Sequence, residues 1–219
     1  MIAYASRTGT RRNLAALRKA GWRLMVSARG VLRHEGFAYA LDNGAWTAFQ
    51  KAEPFDVRAF VRAVRLLGAG ADWIALPDIV MGGEQSLALS LRWLRWLKRW
   101  PSLAQARFML VVQNGMDTCR HMLARIRRVV GPMVGIFVGG DTVWKLATMA
   151  FWARLAHAHR AICHVGRVNT ARRIHACEAA GIDSFDGSSA SRFAVTLHPL
   201  ELARQQIDIE GYIARRAAA

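Results

Sequence analysis

The feature that most constrains this chain is an alternation of short apolar runs with amphipathic stretches, most runs closing on a polar residue or glycine. Ile2–Ser6, Arg23–Ser27, Ala38–Asp42, Trp73–Asp78, Phe108–Gln113, Gly135–Gly139, Ile162–Gly166 and Ser184–Gly187 read as strands. Between most of them apolar residues recur at helical spacing, over Phe55–Leu67, Gln85–Trp100, Thr118–Val130, Val143–His159 and Thr170–Ala180. In the first of these, Val57, Phe60, Val61 and Val64 fall on one face and Arg58, Arg62 and Arg65 on the other. The second and third strands read as joined by a loop through Gly30 and Gly36, without a helix. Strand–helix alternation predicts parallel strands, since each helical crossover returns the chain to the same end of the sheet. About eight strands without a Gly-rich nucleotide fingerprint favour a closed, TIM-type (β/α)8 barrel of the α/β class over an open doubly wound sheet. A length of 219 residues is near the low end for one such domain, taken as residues 1–219. The Ala-rich end after Tyr212 reads as frayed.

Charge narrows the partner. Lys and Arg total 31 against 15 Asp and Glu, a formal +16 at pH 7, and arginine far outnumbers lysine. Such a surplus attracts polyanions, and nucleic acid is the natural one, because phosphate neutralisation releases counterions. Solubility alone is the blander explanation. With 53% hydrophobic residues the body of the chain is not disordered. No uncharged apolar stretch reaches the ~18 residues of a membrane span, and Met1–Ser6 is too short for a signal peptide before Arg7, which points to the cytoplasm. Cys119, Cys163 and Cys177 form no CxxC pair and suit neither disulfides nor zinc. In Gln85–Trp100 the stripe Trp93, Trp96 and Trp100 is expected to bury against the strands, with Arg92, Arg95 and Arg99 beside it.

Barrel enzymes carry their chemistry where the strands end. Here those ends read Leu41-Asp42-Asn43-Gly44, Leu76-Pro77-Asp78, Val112-Gln113-Asn114-Gly115, Val138-Gly139-Gly140-Asp141, His164-Val165-Gly166-Arg167 and Ser184-Phe185-Asp186-Gly187. Asp141 reads as an ordinary helix N-cap. Asp42 and Asp186 are followed by small residues and fit that role less well. Two carboxylates facing one cavity point to chemistry at a glycosidic carbon, one attacking and one managing protons. A third carboxylate and a carboxamide suit the edge of a purine, with glycine backbone close to the ring. His164 is the histidine best placed to support such a site.

These strand ends resemble the tRNA-guanine transglycosylase superfamily. The most specific stretch lies within Ile162–Arg192, HVGRVNTARRIHACEAAGIDSFDGSSASR, and on that resemblance Asp186 is the nucleophile. Asp42, in Leu41-Asp42-Asn43-Gly44-Ala45-Trp46, takes the family's general acid/base role, with Asn43 beside it at the base site. Asp78 takes the place of the aspartate that grips the guanine edge. Gln113 corresponds to the family's base-site glutamine, Gly139 and Gly140 to its glycine pair, and Arg167 to a basic residue near a phosphate. Asn169 and Thr170 supply a helix start beside it. The tRNA enzymes also carry a zinc site of clustered cysteines and a histidine, which this sequence cannot build. The short, basic form is more similar to the DNA-modifying branch of phages and bacterial modification clusters, which exchanges guanine in DNA for a 7-deazaguanine such as preQ0. That resemblance implies DNA and a 7-deazaguanine base as substrates, no cofactor or metal, no membrane, the cytoplasm (of the host, for a phage protein) and room for a protein partner. Three alternatives stay open: a related enzyme acting on RNA, a non-catalytic basic barrel working with a partner, and a barrel enzyme using Arg167 to clamp a phosphorylated metabolite.

Overall fold

The computed structural model describes residues 1–192 and 194–206. The end after Tyr212, expected to fray, lies outside them. Eight strands, β1 (Ile2–Ser6), β2 (Arg23–Ser27), β3 (Tyr39–Asp42), β4 (Ile74–Ala75), β5 (Phe108–Val112), β6 (Val134–Val138), β7 (Cys163–Val165) and β8 (Ser184–Gly187), run in sequence order around a closed barrel. Every pairing is parallel, including the one between β1 and β8 that closes the ring. The helices are α1 (Arg11–Lys19), α2 (Ala45–Gln50), α3 (Val57–Leu67), α4 (Gly83–Leu97), α5 (Arg120–Arg127), α6 (Thr142–Ala158), α7 (Ala171–Ala179), α8 (Ser189–Arg192) and α9 (Ala194–Gln205). The chain is thus the TIM-type barrel that the alternation predicts, and β2 and β3 are joined without a helix.

Strand side chains alternate between two cores, as period-two geometry requires. Leu24, Val26, Leu41, Leu110, Ile136, Val138, Val165 and Phe185 face the helices. Tyr4, Met25, Ala40, Trp73, Ala75 and Met109 point inward and fill the barrel's axis, with Phe137 and Ile162 packed on them. Toward the strands' N-terminal ends this filling is pinned by Asp72, which accepts from the Tyr4 hydroxyl and pairs with Arg23, both at 2.9 Å. Helices α3, α6 and α7 start at side-chain caps. Asp56, Asp141 and Thr170 accept from backbone N–H groups three residues on, satisfying donors that have no partner within the helix.

Three expectations are corrected. The β4 ladder is shorter than Trp73–Asp78, because the chain reaches Pro77, which has no N–H to donate, and bends into the rim. Helix α3 buries Phe60, Ala63 and Val64, while Val57 is exposed, so its core face is rotated from the one the spacing favoured. The tryptophan stripe of α4 does not bury against strands: Leu87, Leu94 and Leu97 do that. Trp93 instead packs edge-on against Phe60, Trp96 is exposed, and Trp100, just past the helix, meets Trp96 edge-on with Arg65 over its ring.

Candidate active site

The inward phase of the strands decides which polar residues meet. Asp42 follows inward Ala40 by two residues, Gln113 follows Val111, Gly139 follows Phe137 and Asp186 follows Ser184, so all emerge into the barrel's mouth. There they line a cavity of about 660 Å3, within the roughly 300–1,000 Å3 usual for a small-molecule site. Asn43, Asp78, Gly140 and Arg167, from the loops after the strands, line the same cavity. All eight residues singled out from the sequence therefore converge on one space.

Asp78 is its structural centre. Its Oδ1 accepts from Asn43 Nδ2 at 2.8 Å and its Oδ2 from Gln113 Nε2 at 2.6 Å. Both amides are fixed in turn. Asn43 donates to the Leu76 carbonyl and accepts from the Ala45 N–H, while Gln113 Oε1 accepts from the Gly140 N–H at 3.0 Å. One hydrogen-bond network thus ties together the ends of β3, β4, β5 and β6. Asp78, Asn43 and Gln113 are all buried, and burial pushes the Asp78 carboxyl up to about 6 despite both amide bonds. Asp42 keeps an edge open to the cavity but sits deep in the mouth. Burial raises it also to about 6, Asp186 adds to the rise, and the Ser27 hydroxyl and Gly44 N–H oppose it.

Asp186 is held from beneath. Its Oδ1 lies 3.0 Å from His164 Nε2, and His164 Nδ1 lies 2.9 Å from Ser184 Oγ. His164 has no solvent exposure and sits among the Phe137, Trp73 and Tyr4 rings, 4.6, 4.7 and 5.8 Å away. Burial lowers its pKa, so the ring is neutral at pH 7. With Asp186 ionised, the tautomer that satisfies both neighbours carries its proton on Nε2, donates to the carboxylate and accepts from the serine. Asp186 Oδ2 faces the Arg167 N–H at 3.4 Å.

Arg167 adopts a left-handed backbone, φ 62°, unusual for a residue with a Cβ. Its guanidinium donates to the Gly140 carbonyl and lies 3.9 Å over the Trp46 ring, spanning the rim from the β7 loop to α2. Below it Lys145 is buried, donates to the Gly166 carbonyl, and is lowered to about 8 by burial.

The glycine pair serves a purpose other than an open approach to a ring. A Cβ on Gly139 would press on Gln113 and Val111 at 3.1 Å. Gly140 has φ +64°, and its Cβ would meet the Trp144 ring at 2.5 Å and Asn114 at 2.6 Å. Both positions make room for protein groups, and the Gly140 N–H fixes Gln113. Short helices also begin sooner after Asp42 and Asp186 than the small residues implied, but Gly44 is the α2 N-cap. Asp141, by contrast, caps α6 as expected.

Ser27, Trp46, Val80 and Ser188 also line the cavity. Ser27 was findable, since it ends β2 in the inward phase beside Asp42. Trp46 and Val80 depend on loop geometry, for which no sequence period exists. The β7 and β8 loops, a frequent phosphate site in these barrels, are closed by the protein itself. Asn169 Oδ1 accepts from the Ser188 and Ser189 N–H groups at 2.8 and 3.0 Å.

Fold and cavity define a parallel (β/α)8 barrel whose mouth presents three carboxylates, one of them, Asp78, locked to the Asn43 and Gln113 carboxamides by hydrogen bonds. The chain matches no protein-family model, and no curated protein is significantly similar to it. Among the described residues no three His, Cys, Asp or Glu side chains are grouped to hold a metal ion, and no helix is long and apolar enough to cross a membrane.

Proposed function

We propose that this barrel is a base-exchange transglycosylase that replaces guanine in DNA by a 7-deazaguanine such as preQ0. The observation that carries the reading is Asp78, a buried carboxylate aimed by two fixed amides into a cavity that Asp42 and Asp186 also face. Each Asp78 oxygen keeps a second lone pair, which suits the N1–H and N2–H donors of guanine, and the Gln113 amide suits O6. The edge of guanine, with two adjacent N–H donors and a carbonyl oxygen, fits a paired acceptor beside an amide. The alternative of a phosphorylated metabolite clamped by Arg167 is less well supported, because the Arg167 guanidinium is engaged by the Gly140 carbonyl and the Trp46 ring and the neighbouring Ser188 and Ser189 N–H groups by Asn169.

The target nucleotide leaves the base stack to reach the cavity. An Asp186 oxygen attacks C1′, the C1′–N9 bond breaks, and its electrons leave with guanine. Asp42 in its acid form delivers a proton to N9, and a pKa near 6 suits that exchange at neutral pH. The entering 7-deazaguanine returns its N9 proton to Asp42 and displaces Asp186 from C1′, so no proton is gained or lost. Two inversions give overall retention, as in retaining glycosidases. His164 positions Asp186 and stays neutral throughout.

Mass spectrometry of nucleosides from DNA incubated with the protein and candidate 7-deazaguanines tests the reading. The expected result is the modified deoxynucleoside, and a loss of at least ~1,000-fold in rate for Asp186→Asn. Exchange by Asp186→Asn at the wild-type rate removes the nucleophile. Unmodified DNA with every base, alongside salt-sensitive DNA binding, supports the non-catalytic basic barrel instead. RNA run in parallel decides the polymer.

A further inference from the structure

The loop from β4 to α4 carries a feature the exchange chemistry does not use. Its tip, Ile79 to Gly82, is a tight turn in which the Gly82 N–H donates to the Ile79 carbonyl at 2.8 Å. Met81 sits there at φ +58°, a left-handed conformation that a side chain disfavours, although glycines occupy the next two positions. The turn is tied down on both sides. The Ile79 N–H donates to Ser86 Oγ of α4 at 3.0 Å, and the Met81 N–H approaches Gln113 Oε1 at 3.4 Å. The Met81 side chain is nevertheless 63% exposed, while neighbouring Val80 turns into the cavity. A strained backbone is therefore anchored to the proposed base-reading glutamine and holds a long apolar side chain out into solvent.

We propose that Met81 is a wedge that enters the base stack where the target guanine is extruded, and that the substrate is accordingly base-stacked duplex rather than free single strand. The inference rests on the transglycosylase reading above and names its substrate form. An unbranched, flexible apolar side chain suits insertion between base steps. The other apolar groups at the mouth are less apt: Trp46 and Phe49 stack on each other beneath Arg167, and Val31 is short and branched. The strongly positive chain supplies long-range attraction to a polyanionic duplex.

Two measurements test it. A duplex with 2-aminopurine beside the target guanine should brighten when wild-type protein binds, and brighten far less with Met81→Ala at saturating protein. Exchange on duplex should fall about tenfold more than exchange on the same sequence as single strand, with Met81→Leu restoring most of the difference. Equal losses on the two forms, or no loss of the 2-aminopurine signal, overturn the wedge. If wild-type protein exchanges guanine on neither form yet the signal still depends on Met81, the wedge stands and the transglycosylase reading falls.

Discussion

At neutral pH Asp42 and Asp78 carry charges that their surroundings disfavour, since burial pushes each carboxyl up to about 6. A carboxyl whose pKa is higher in the folded chain stabilises the fold while protonated, and that contribution is lost as pH rises through the folded value. Stability from these two groups is therefore greatest below about pH 4 and falls away between about 4 and 6. Replacing Asp42 by Asn should accordingly stabilise the protein at pH 7.5 by on the order of 1–3 kcal/mol while abolishing exchange. Chemical denaturation at pH 7.5 and pH 4.5 checks this, and an advantage that does not shrink at the lower pH contradicts it. On the proposed mechanism exchange should peak near pH 6, falling below it as Asp78 loses its charge and above it as Asp42 loses its proton, and a rate still rising well above pH 7 contradicts those roles. Asp42 was legible in the sequence because it ends an apolar run in the inward phase, and Asp78 because it closes the run Trp73–Asp78, although it stands in the loop after β4. What the residues alone did not disclose is mutual: the Asn43 and Gln113 amides are spoken for by Asp78, and Gly140 serves Gln113.

Among elements, legibility followed how strongly periodicity was enforced. Strands β1 and β2 are apolar runs, and with β8 they match their expected bounds, while β4 dwindles where Pro77 intervenes. Helix α4 misled because its tryptophans share a face yet pack against α3 and one another; size and hydropathy do not tell a neighbour helix from a sheet. Helix α9 buries Leu197, Leu200 and Ala203 in the core and adds a polar anchor. Buried Glu201 accepts from Trp22 Nε1 at 2.5 Å and from Arg204, which also reaches the Ala20 carbonyl at 3.1 Å. Glu201→Ala leaves the buried indole N–H without that partner and should lower stability by about 1–3 kcal/mol. Base affinity should stay intact, since none of the described α9 residues lines the cavity. Thermal unfolding with and without a 7-deazaguanine base measures both, and a lost ligand-induced shift would show that α9 supports the rim after all.

For the whole molecule, the +16 charge is a statement about association rather than architecture. Binding to DNA should weaken by ~10-fold or more between roughly 50 and 200 mM salt, and an affinity flat across that range would exclude a phosphate-contacting mode. The barrel's filled axis has a second consequence. Tyr4, Trp73 and His164 occupy the space below the carboxylates, with Asp72 and Arg23 behind them, so the cavity is a blind well. A blind well imposes traffic rules on an exchange reaction. In the proposed exchange the outgoing and incoming bases share one doorway with the nucleotide being edited, and the polymer enters first and departs last. Excess free base then does more than feed the second half-reaction: lodged in an empty well, it bars the polymer, and turnover peaks at an intermediate base concentration.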